Sequence, residues 1–533
     1  MLVKDLIIQQ LENIGVKHIY NYSGDTTLSF LSALKGSSIK VYSSQHESAA
    51  GLMASAEAKA TGNLAVCLSH SGPGTANIIN GIADASMDRV PLLLISGQVA
   101  THNLGTNYKQ FLNQIELTNP ITLFSTIVVN PEGITDALYK AISTSIAQGG
   151  VSHLVIPMDI WDQETNDTPR EYPLHLDTKM IPDINLINKA AEEINNAKKI
   201  SIIYGRGCKE CPQELKTLAE KLQAPLINTL PATGIIEFDN SFEMGGLGHS
   251  GNQYSSELLE ESELILKLAA TWWPVKYTPK NKKILQFDSI IENIGSTHPV
   301  DLGIPGDIKL SLKELTEKLN KKENQDWMNK INEVKNKWSA EFDAGYSKED
   351  WPLAPSQVIK IVSEYSSDNE IISLDSGDNV IFFGRFFANK CQDVLVSGTW
   401  RTMGFALPAS IAAKINYPDS KSTAIIGDGG LHMVMAEILT AKRYNIAVKI
   451  IVMNNGSLAM EKNKAIAAGL ELEEVELTNP DYIKIAEACG IKAYRAESLD
   501  NLRNIMNETA DNNEVILIDL PIADPFIPGS KLS

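Results

Sequence analysis

The sequence predicts an α/β protein built from three doubly wound parallel sheets. Three observations carry this. At 533 residues the chain is too long for one hydrophobic core, and three domains is the natural expectation. Short apolar runs alternate with helical patterns over 1–170, 183–320 and 353–525, as in parallel α/β units. One stretch, Ser422 to Ser457, displays the repeating unit. An apolar run at Thr423–Ile426 breaks at Gly427-Asp428-Gly429-Gly430, a helical pattern follows, and a second apolar run at Val448–Met453 ends in Asn454-Asn455-Gly456. That is a βαβ unit whose two strand ends share one edge of the sheet, where ligands bind in such folds.

In the first unit, Val3–Ile14 reads as a helix and Ile19–Tyr22 as a strand ending at Ser23-Gly24-Asp25. A strand at Val41–Ser44 runs into His46-Glu47 and a helix of small residues. Leu64–Leu68 is followed by Ser71-Gly72-Pro73-Gly74-Thr75-Ala76-Asn77, and Val90–Ser96 by Gly97-Gln98. A carboxylate such as Glu47 is favoured in a helix first turn. The small residues behind it let the helix sit deep, and a carboxylate buried there needs a partner.

In the second unit, Ile200–Tyr204 closes at Gly205-Arg206-Gly207, and Pro225–Asn228 precedes the turn from Thr229 to Gly234. Leu264–Leu268 and Lys283–Asp288 are further strands. Lys318–Lys337, at the start of a linker over 321–352, reads as a solvated connecting helix. The third unit has strands at Glu370–Leu374, ending at Asp375-Ser376-Gly377, at Val394–Ser397 and, last, at Glu514–Leu520. Met433, Ala436, Ile438, Leu439 and Ala441 are expected on one face of the helix after the GDGG turn. Met403 reads, by default, as a core methionine.

Asp428, the Asn455 amide oxygen and a nearby loop carbonyl make a hard, oxygen-only set. It suits Mg²⁺ or Ca²⁺, with a diphosphate supplying further oxygens. Gly427, Gly429 and Gly430 let the backbone approach phosphate.

Composition narrows the field. Hydrophobic residues at 43% and charged residues at 21% are those of a globular protein, and a net charge of −18 argues against a nucleic-acid surface. The five cysteines are scattered; Cys208 and Cys211 lack the further ligands a zinc site needs and read as ordinary thiols in a reducing cytoplasm. No apolar run reaches a membrane span, so no stable membrane anchor is expected. The N-terminus reads as an amphipathic helix rather than a signal peptide. Ser530-Lys531-Leu532 is followed by Ser533 and is not a terminal peroxisomal address.

QHESAAGLMASAEAKATG, LSHSGPGTANIINGIADASMDRVPLLLISGQ, SGTWRTMGFALPASIAAKINYP and GDGG…NNG resemble the acetolactate synthase and pyruvate oxidase family of thiamine diphosphate enzymes. The likeness covers essentially the whole chain. It leans to the synthases near the N-terminus and, through NPDYIKIAEACGI, to quinone-dependent pyruvate oxidases near the C-terminus. It implies a pyrimidine-binding domain (1–170), a central nucleotide-binding-like domain (183–320) and a diphosphate- and metal-binding domain (353–525). It implies that Glu47 bonds N1′ of the aminopyrimidine and that Gln110 is catalytic. Gly24, Gly72, Asn77, Gly427, Gly429 and Gly430 would contact the cofactor, and Met403 would wedge beneath it. Asp428, Asn455 and Ser457 would hold Mg²⁺. FAD would bind through Gly205, Arg206, Gly207, Thr229 and Asp288; another adenine nucleotide, or no ligand, are the alternatives there. The cofactor would lie between chains, which implies a homodimer or homotetramer.

Two departures bear on substrate. Lys109 replaces an aromatic residue before Gln110, and Lys464 stands where the oxidases have Glu and the synthases Trp. If both face the reacting carbon, the pocket is cationic and suits a 2-oxoacid with a second acid group; if Lys464 pairs with Glu461, it is nearer neutral. The chain also ends at PFIPGSKLS, without the lipid-binding tail of the quinone-dependent oxidases. The expected activity is oxidative decarboxylation of pyruvate or a related 2-oxoacid. The alternatives are acetolactate synthase-like carboligation and a non-catalytic nucleotide-binding relative.

Overall fold

The computed structural model describes residues 1–171, 179–345 and 351–525. It contains three six-stranded, wholly parallel sheets with flanking helices, the fold class read from the sequence. The first holds β1 (His18–Asn21), β2 (Lys40–Ser43), β3 (Ala65–Ser69), β4 (Leu92–Gln98), β5 (Phe124–Ile127) and β6 (Val151–Pro157), in the order β2-β1-β3-β4-β6-β5. The second holds β7 (Ile200–Tyr204), β8 (Leu226–Asn228), β9 (Glu243–Gly246), β10 (Leu264–Leu268), β11 (Lys283–Asp288) and β12 (Leu302–Pro305), in the order β12-β11-β10-β7-β8-β9. The third holds β13 (Ile371–Leu374), β14 (Asp393–Val396), β15 (Ser422–Gly427), β16 (Lys449–Asn454), β17 (Lys492–Arg495) and β18 (Ile516–Pro521), in the order β14-β13-β15-β16-β18-β17. The first and third sheets thus share one topology. The second has a dinucleotide-fold order, with its switch point between β7 and β10.

The central strands are buried on both faces, which is why they appear as unbroken apolar runs rather than alternating ones. One core joins the first and third units, from Tyr20, Met53 and Ile82 to Phe405, Ile411 and Ile438. Its axis is the helix Glu47–Thr61, in which every residue from Ala49 to Ala60 is buried. Its small residues allow this: a Cβ on Gly51 would lie 2.9 Å from Gly81 Cα in the neighbouring helix. The next helix, Pro73–Met87, therefore crosses almost backbone to backbone.

Two sequence expectations need correction. The helical stretch after Asp428 is two helices, Asp428–Val434 and Glu437–Arg443. Leu431, Val434, Ile438 and Ala441 face inward, whereas Met433 and Leu439 are 59% and 44% exposed. Both sets recur at helical spacing, and only packing chooses between them. The connecting helix spans Gln325–Ala344 and is not simply solvated, because Trp327, Ile331, Val334 and Trp338 form a buried stripe against the middle unit. Its lysines face back to the same unit: Lys335 donates to the carbonyls of Phe238, Asn240 and Glu243. Residues 526–533, with the tail and its Ser-Lys-Leu, lie outside the described residues. No described helix is long and apolar enough to cross a membrane.

Candidate active site

Glu47 stands at the end of β2, in the first turn of the buried helix, and is itself buried. One carboxylate oxygen, Oε2, accepts from Asn77 Nδ2 at 3.0 Å. The other, Oε1, lies 3.3 Å from where a Cβ on Gly74 would sit. Gly72 has φ +60°, and a Cβ there would fall 2.5 Å from the carbonyl oxygen of Gln110. The glycine is therefore required, and it brings the Gln110 loop against the turn after β3. Gln98 Nε2 donates to Leu112 O and Gln114 Nε2 to Gly97 O, both at 2.9 Å, which pins the loop at its far end. Gly24 packs on the ring of His70, which also touches the Gly74 position. Gly24, Glu47, Gly72, Asn77 and Gln110 thus gather around one turn. Lys109 is exposed on the same loop.

At the ends of β15 and β16 the chemistry is different. Asp428 is 2% exposed. Oδ1 accepts from the Gly429 N–H at 2.9 Å; Oδ2 accepts from the Gly456 N–H at 2.7 Å and from Asn479 Nδ2 at 2.8 Å. Four acceptor sites less three donors leave one lone pair for a cation. Asn455 Oδ1 accepts the Ser457 N–H at 3.1 Å and keeps its second lone pair. The Ser457 hydroxyl donates to Asp524 at 3.1 Å, and among the described residues its carbonyl takes no loop or turn hydrogen bond, which leaves that oxygen available for a metal. Asn479 Oδ1 is buried without a donor. An orphan acceptor beside a carboxylate with a spare lone pair suits Mg²⁺. A Cβ on Gly427 would meet nothing within 4 Å, which leaves room for a phosphate.

Met403 reaches this group, its methyl carbon 3.1 Å from the Gly429 Cβ position. Asp375, fully buried at the end of β13, holds the backbone behind it. Its Oδ1 accepts the N–H groups of Ser376 and Gly404 and its Oδ2 that of Ala406, each at 2.9 Å. Burial pushes its carboxyl up to about 7 despite these donors. Asn479 and Asp375 were absent from the sequence-derived site. Their only signals were NPDY and the acid at a strand end, both common in proteins. Lys464 is partly exposed and pairs with Glu461 at 2.9 Å, so its charge is compensated.

Contacts across the first and third units tie the loops together. The N–H of Gln45, two residues before Glu47, donates to both carboxylate oxygens of buried Glu437, at 2.9 and 3.2 Å. Burial raises that carboxyl to about 7. Asn80 donates to Thr402 Oγ1 at 3.1 Å and accepts from Trp400 Nε1 at 2.9 Å. Among the described residues no hydrogen bond joins the Glu47 group to the Asp428 group.

A cavity of about 700 Å³ opens at the switch point of the second sheet, lined in part by Arg206, Gly207, Thr229, Phe383 and Thr399. The nucleotide residues read from the sequence are largely committed to protein here. The Arg206 guanidinium donates to the carbonyls of Val394 and Lys59 at 3.0 and 2.9 Å. Gly205 is needed because Ala269 O occupies its side-chain position, and Gly207 because Ala269 Cβ lies 2.6 Å away. Asp288, buried, accepts from Ile290 N and Asn293 Nδ2 at 2.9 and 3.1 Å. These residues do not by themselves require a dinucleotide. Cys208 and Cys211 are buried, unpaired thiols.

Three family models match the chain in order. They are the N-terminal TPP binding domain of thiamine pyrophosphate enzymes at 1–117, the central domain at 187–315 and the C-terminal TPP binding domain at 375–520. A thiamine pyrophosphate-containing protein of Bacillus subtilis, YdaP, is 32% identical, with 97% of this chain and 91% of that protein aligned. The acetolactate synthase large subunit of Buchnera aphidicola is 30% identical (98% and 94%), and the pyruvate oxidase of Lactiplantibacillus plantarum 27% (99% and 89%). Likeness on this scale, over three sheets and both halves of the site, leaves one conclusion: the chain belongs to the acetolactate synthase and pyruvate oxidase family and is a thiamine diphosphate-dependent 2-oxoacid enzyme.

Proposed function

We propose that the chain decarboxylates pyruvate or a close 2-oxoacid with thiamine diphosphate and Mg²⁺, and passes the remaining fragment to an acceptor. The observation that carries this is Glu47, buried, with one oxygen held by Asn77 and the other at the bare flank of Gly74. Thiamine diphosphate supplies, when bound, the carbon nucleophile and the electron sink for decarboxylation. Glu47 uses its unpartnered oxygen to hold the proton at the pyrimidine nitrogen. Asp428, Asn455 and the Ser457 carbonyl bind Mg²⁺, and Gly427, Gly429 and Gly430 leave space for the diphosphate. Met403, whose methyl lies against the Gly429 turn, would pack against the bound cofactor, and Gln110, on the loop pressed against Gly72, would orient the substrate. Among the described residues no hydrogen bond joins the Glu47 group to the Asp428 group, which supports a second copy completing each site, in a homodimer or homotetramer. Unpaired cysteines support a cytoplasmic setting.

Two acceptors are in view. The oxidative reading, with acetate as product, draws on the cavity at the β7/β10 switch point, where sheets of this order bind dinucleotides such as FAD. The carboligation reading draws on the relatives named acetolactate synthase and on the protein partners already held by Gly205, Arg206 and Asp288. A second 2-oxoacid needs no flavin. The absorption spectrum of the purified protein, with assays of pyruvate-dependent dye reduction and acetolactate formation, separates them. A flavin spectrum with dye reduction supports the oxidase; acetolactate without dye reduction supports the synthase. Neither product from any 2-oxoacid would sink both.

A further inference from the structure

We propose that His70 is a second proton-transfer residue of this site. The proposal rests on the reading of the site as a 2-oxoacid decarboxylating centre. The imidazole stands between two glycines of the pyrimidine half. It fills the side-chain position of Gly24, and a Cβ on Gly74 would lie 3.0 Å from the His70 Cβ. That same Gly74 position is 3.3 Å from Glu47 Oε1. The two ionisable side chains therefore share one bare glycine flank.

The bonds of the ring are lopsided. Nδ1 lies 3.2 Å from Asp25 Oδ1 and 2.9 Å from Thr26 Oγ1. The Thr26 hydroxyl already accepts the Ser71 N–H at 3.2 Å. An Asp25 carboxylate can only accept, so a ring N–H donated to it leaves the lone pair on Nε2. Nε2 has no hydrogen-bond partner among the described residues. The side chain keeps 12% of its surface exposed, and Nε2 is not sealed in the core, so it is open to a molecule entering the cleft. The ring is held by one nitrogen and offers the other as a base, beside the carboxylate that serves the cofactor.

The reaction has a use for such a group. The 2-keto oxygen must gain a proton when its carbon is attacked and lose it when a carbonyl re-forms in the product. Nε2 takes the proton from the hydroxyl as the C=O bond returns, and the imidazolium then gives it to the oxygen of the next substrate. One proton moves between two oxygens, with no oxidant and no net charge. Glu47 acts at the pyrimidine, so the two residues have separable effects.

The test uses the full-length protein with thiamine diphosphate and Mg²⁺. His70→Asn keeps a polar group facing Asp25 and Thr26 and deletes Nε2. It should lower kcat about 10²-fold while C2–H exchange of the bound cofactor, read by NMR, stays within about twofold of wild type. In the wild type, carbethoxylation of His70 by diethylpyrocarbonate, read by peptide mass spectrometry, should slow when thiamine diphosphate and Mg²⁺ are added. Wild-type turnover in His70→Asn would reduce the residue to a structural role and overturn the proposal. Equal labelling with and without cofactor would overturn it too, and decides alone if the variant does not fold. Wild-type protein that supports no C2–H exchange would sink the reading of the whole site, a different failure from an inert His70.

Discussion

The first and third sheets have the same strand order, yet their strand ends do opposite kinds of work. In both, the third strand, β3 or β15, ends in a glycine-rich turn. After β3 the turn is packed against protein: Gly72 is pressed on the Gln110 backbone, and Glu47 nearby has a single amide donor. After β15 the turn is open at Gly427, and Asp428 is gripped by three N–H donors. A carboxylate with one donor and a free oxygen is equipped to share a proton with a ring nitrogen. One clamped by three donors, with one lone pair over, is equipped to bind a cation. The scaffold supplies the position, and the donors around each acid decide its chemistry.

The sharpest way to break this contrast is Glu47→Gln. If the first sheet serves proton transfer, turnover should fall by 10²–10⁴-fold, while thiamine diphosphate and Mg²⁺ affinities change little. Calorimetric titration beside steady-state rates would show it, and wild-type turnover would remove Glu47 from the chemistry. The third sheet should respond the other way. Asp428→Ala should raise the Mg²⁺ needed for half-saturation by more than about 10²-fold. Asn479→Ala, which removes a donor to the ligand and the orphan acceptor beside it but no charge, should cost about tenfold. Overlaying Mg²⁺ titrations for all three proteins would refute the metal assignment.

A smaller effect tests the joint between the two units. Glu437 has its carboxyl raised from the ordinary glutamate range to about 7 by burial, and it accepts the N–H of Gln45 next to the Glu47 helix. A raised carboxyl stabilises the fold fully below its unfolded value and loses that contribution as pH climbs through about 7. The melting temperature should therefore decline between about pH 5 and pH 7, and Glu437→Gln should flatten the decline. Identical slopes in both proteins would remove Glu437 from the joint. The smallest effect concerns Lys464. Its exposed pair with Glu461 is worth about 0.2–1 kcal/mol, and Lys464→Gln should leave the preference between pyruvate and dicarboxylic 2-oxoacids unchanged. A reversed preference would restore the cationic pocket.

Much of the site was legible because its signals are local. Gly427-Asp428-Gly429-Gly430 and Asn454-Asn455-Gly456 bracket a helix and a strand within one βαβ unit, so sequence spacing is nearly spatial spacing. Glu47 was legible from the small residues behind it, since only a deeply buried helix needs them. Asn479 was not, because it reaches Asp428 from 51 positions away in the chain. Asp375 and His70 look, in the sequence, like any acid at a strand end and any histidine before a turn.

The sequence alone determined the parallel units, the glycine turns and the acids beside them. Apolar periodicity, bare Cα positions and helix starts are properties of neighbouring residues. Only the tertiary structure decided that Leu431 and Val434 rather than Met433 and Leu439 face inward. It also decided that the lysine-rich helix buries two tryptophans and that Arg206 spends its guanidinium on carbonyls of the other two units. Each of these depends on what packs opposite. Two faces of one helix can carry equally apolar residues, and a charged side chain can satisfy itself on solvent, ligand or distant backbone. The free energy that chooses among these comes from contacts between segments far apart in the chain.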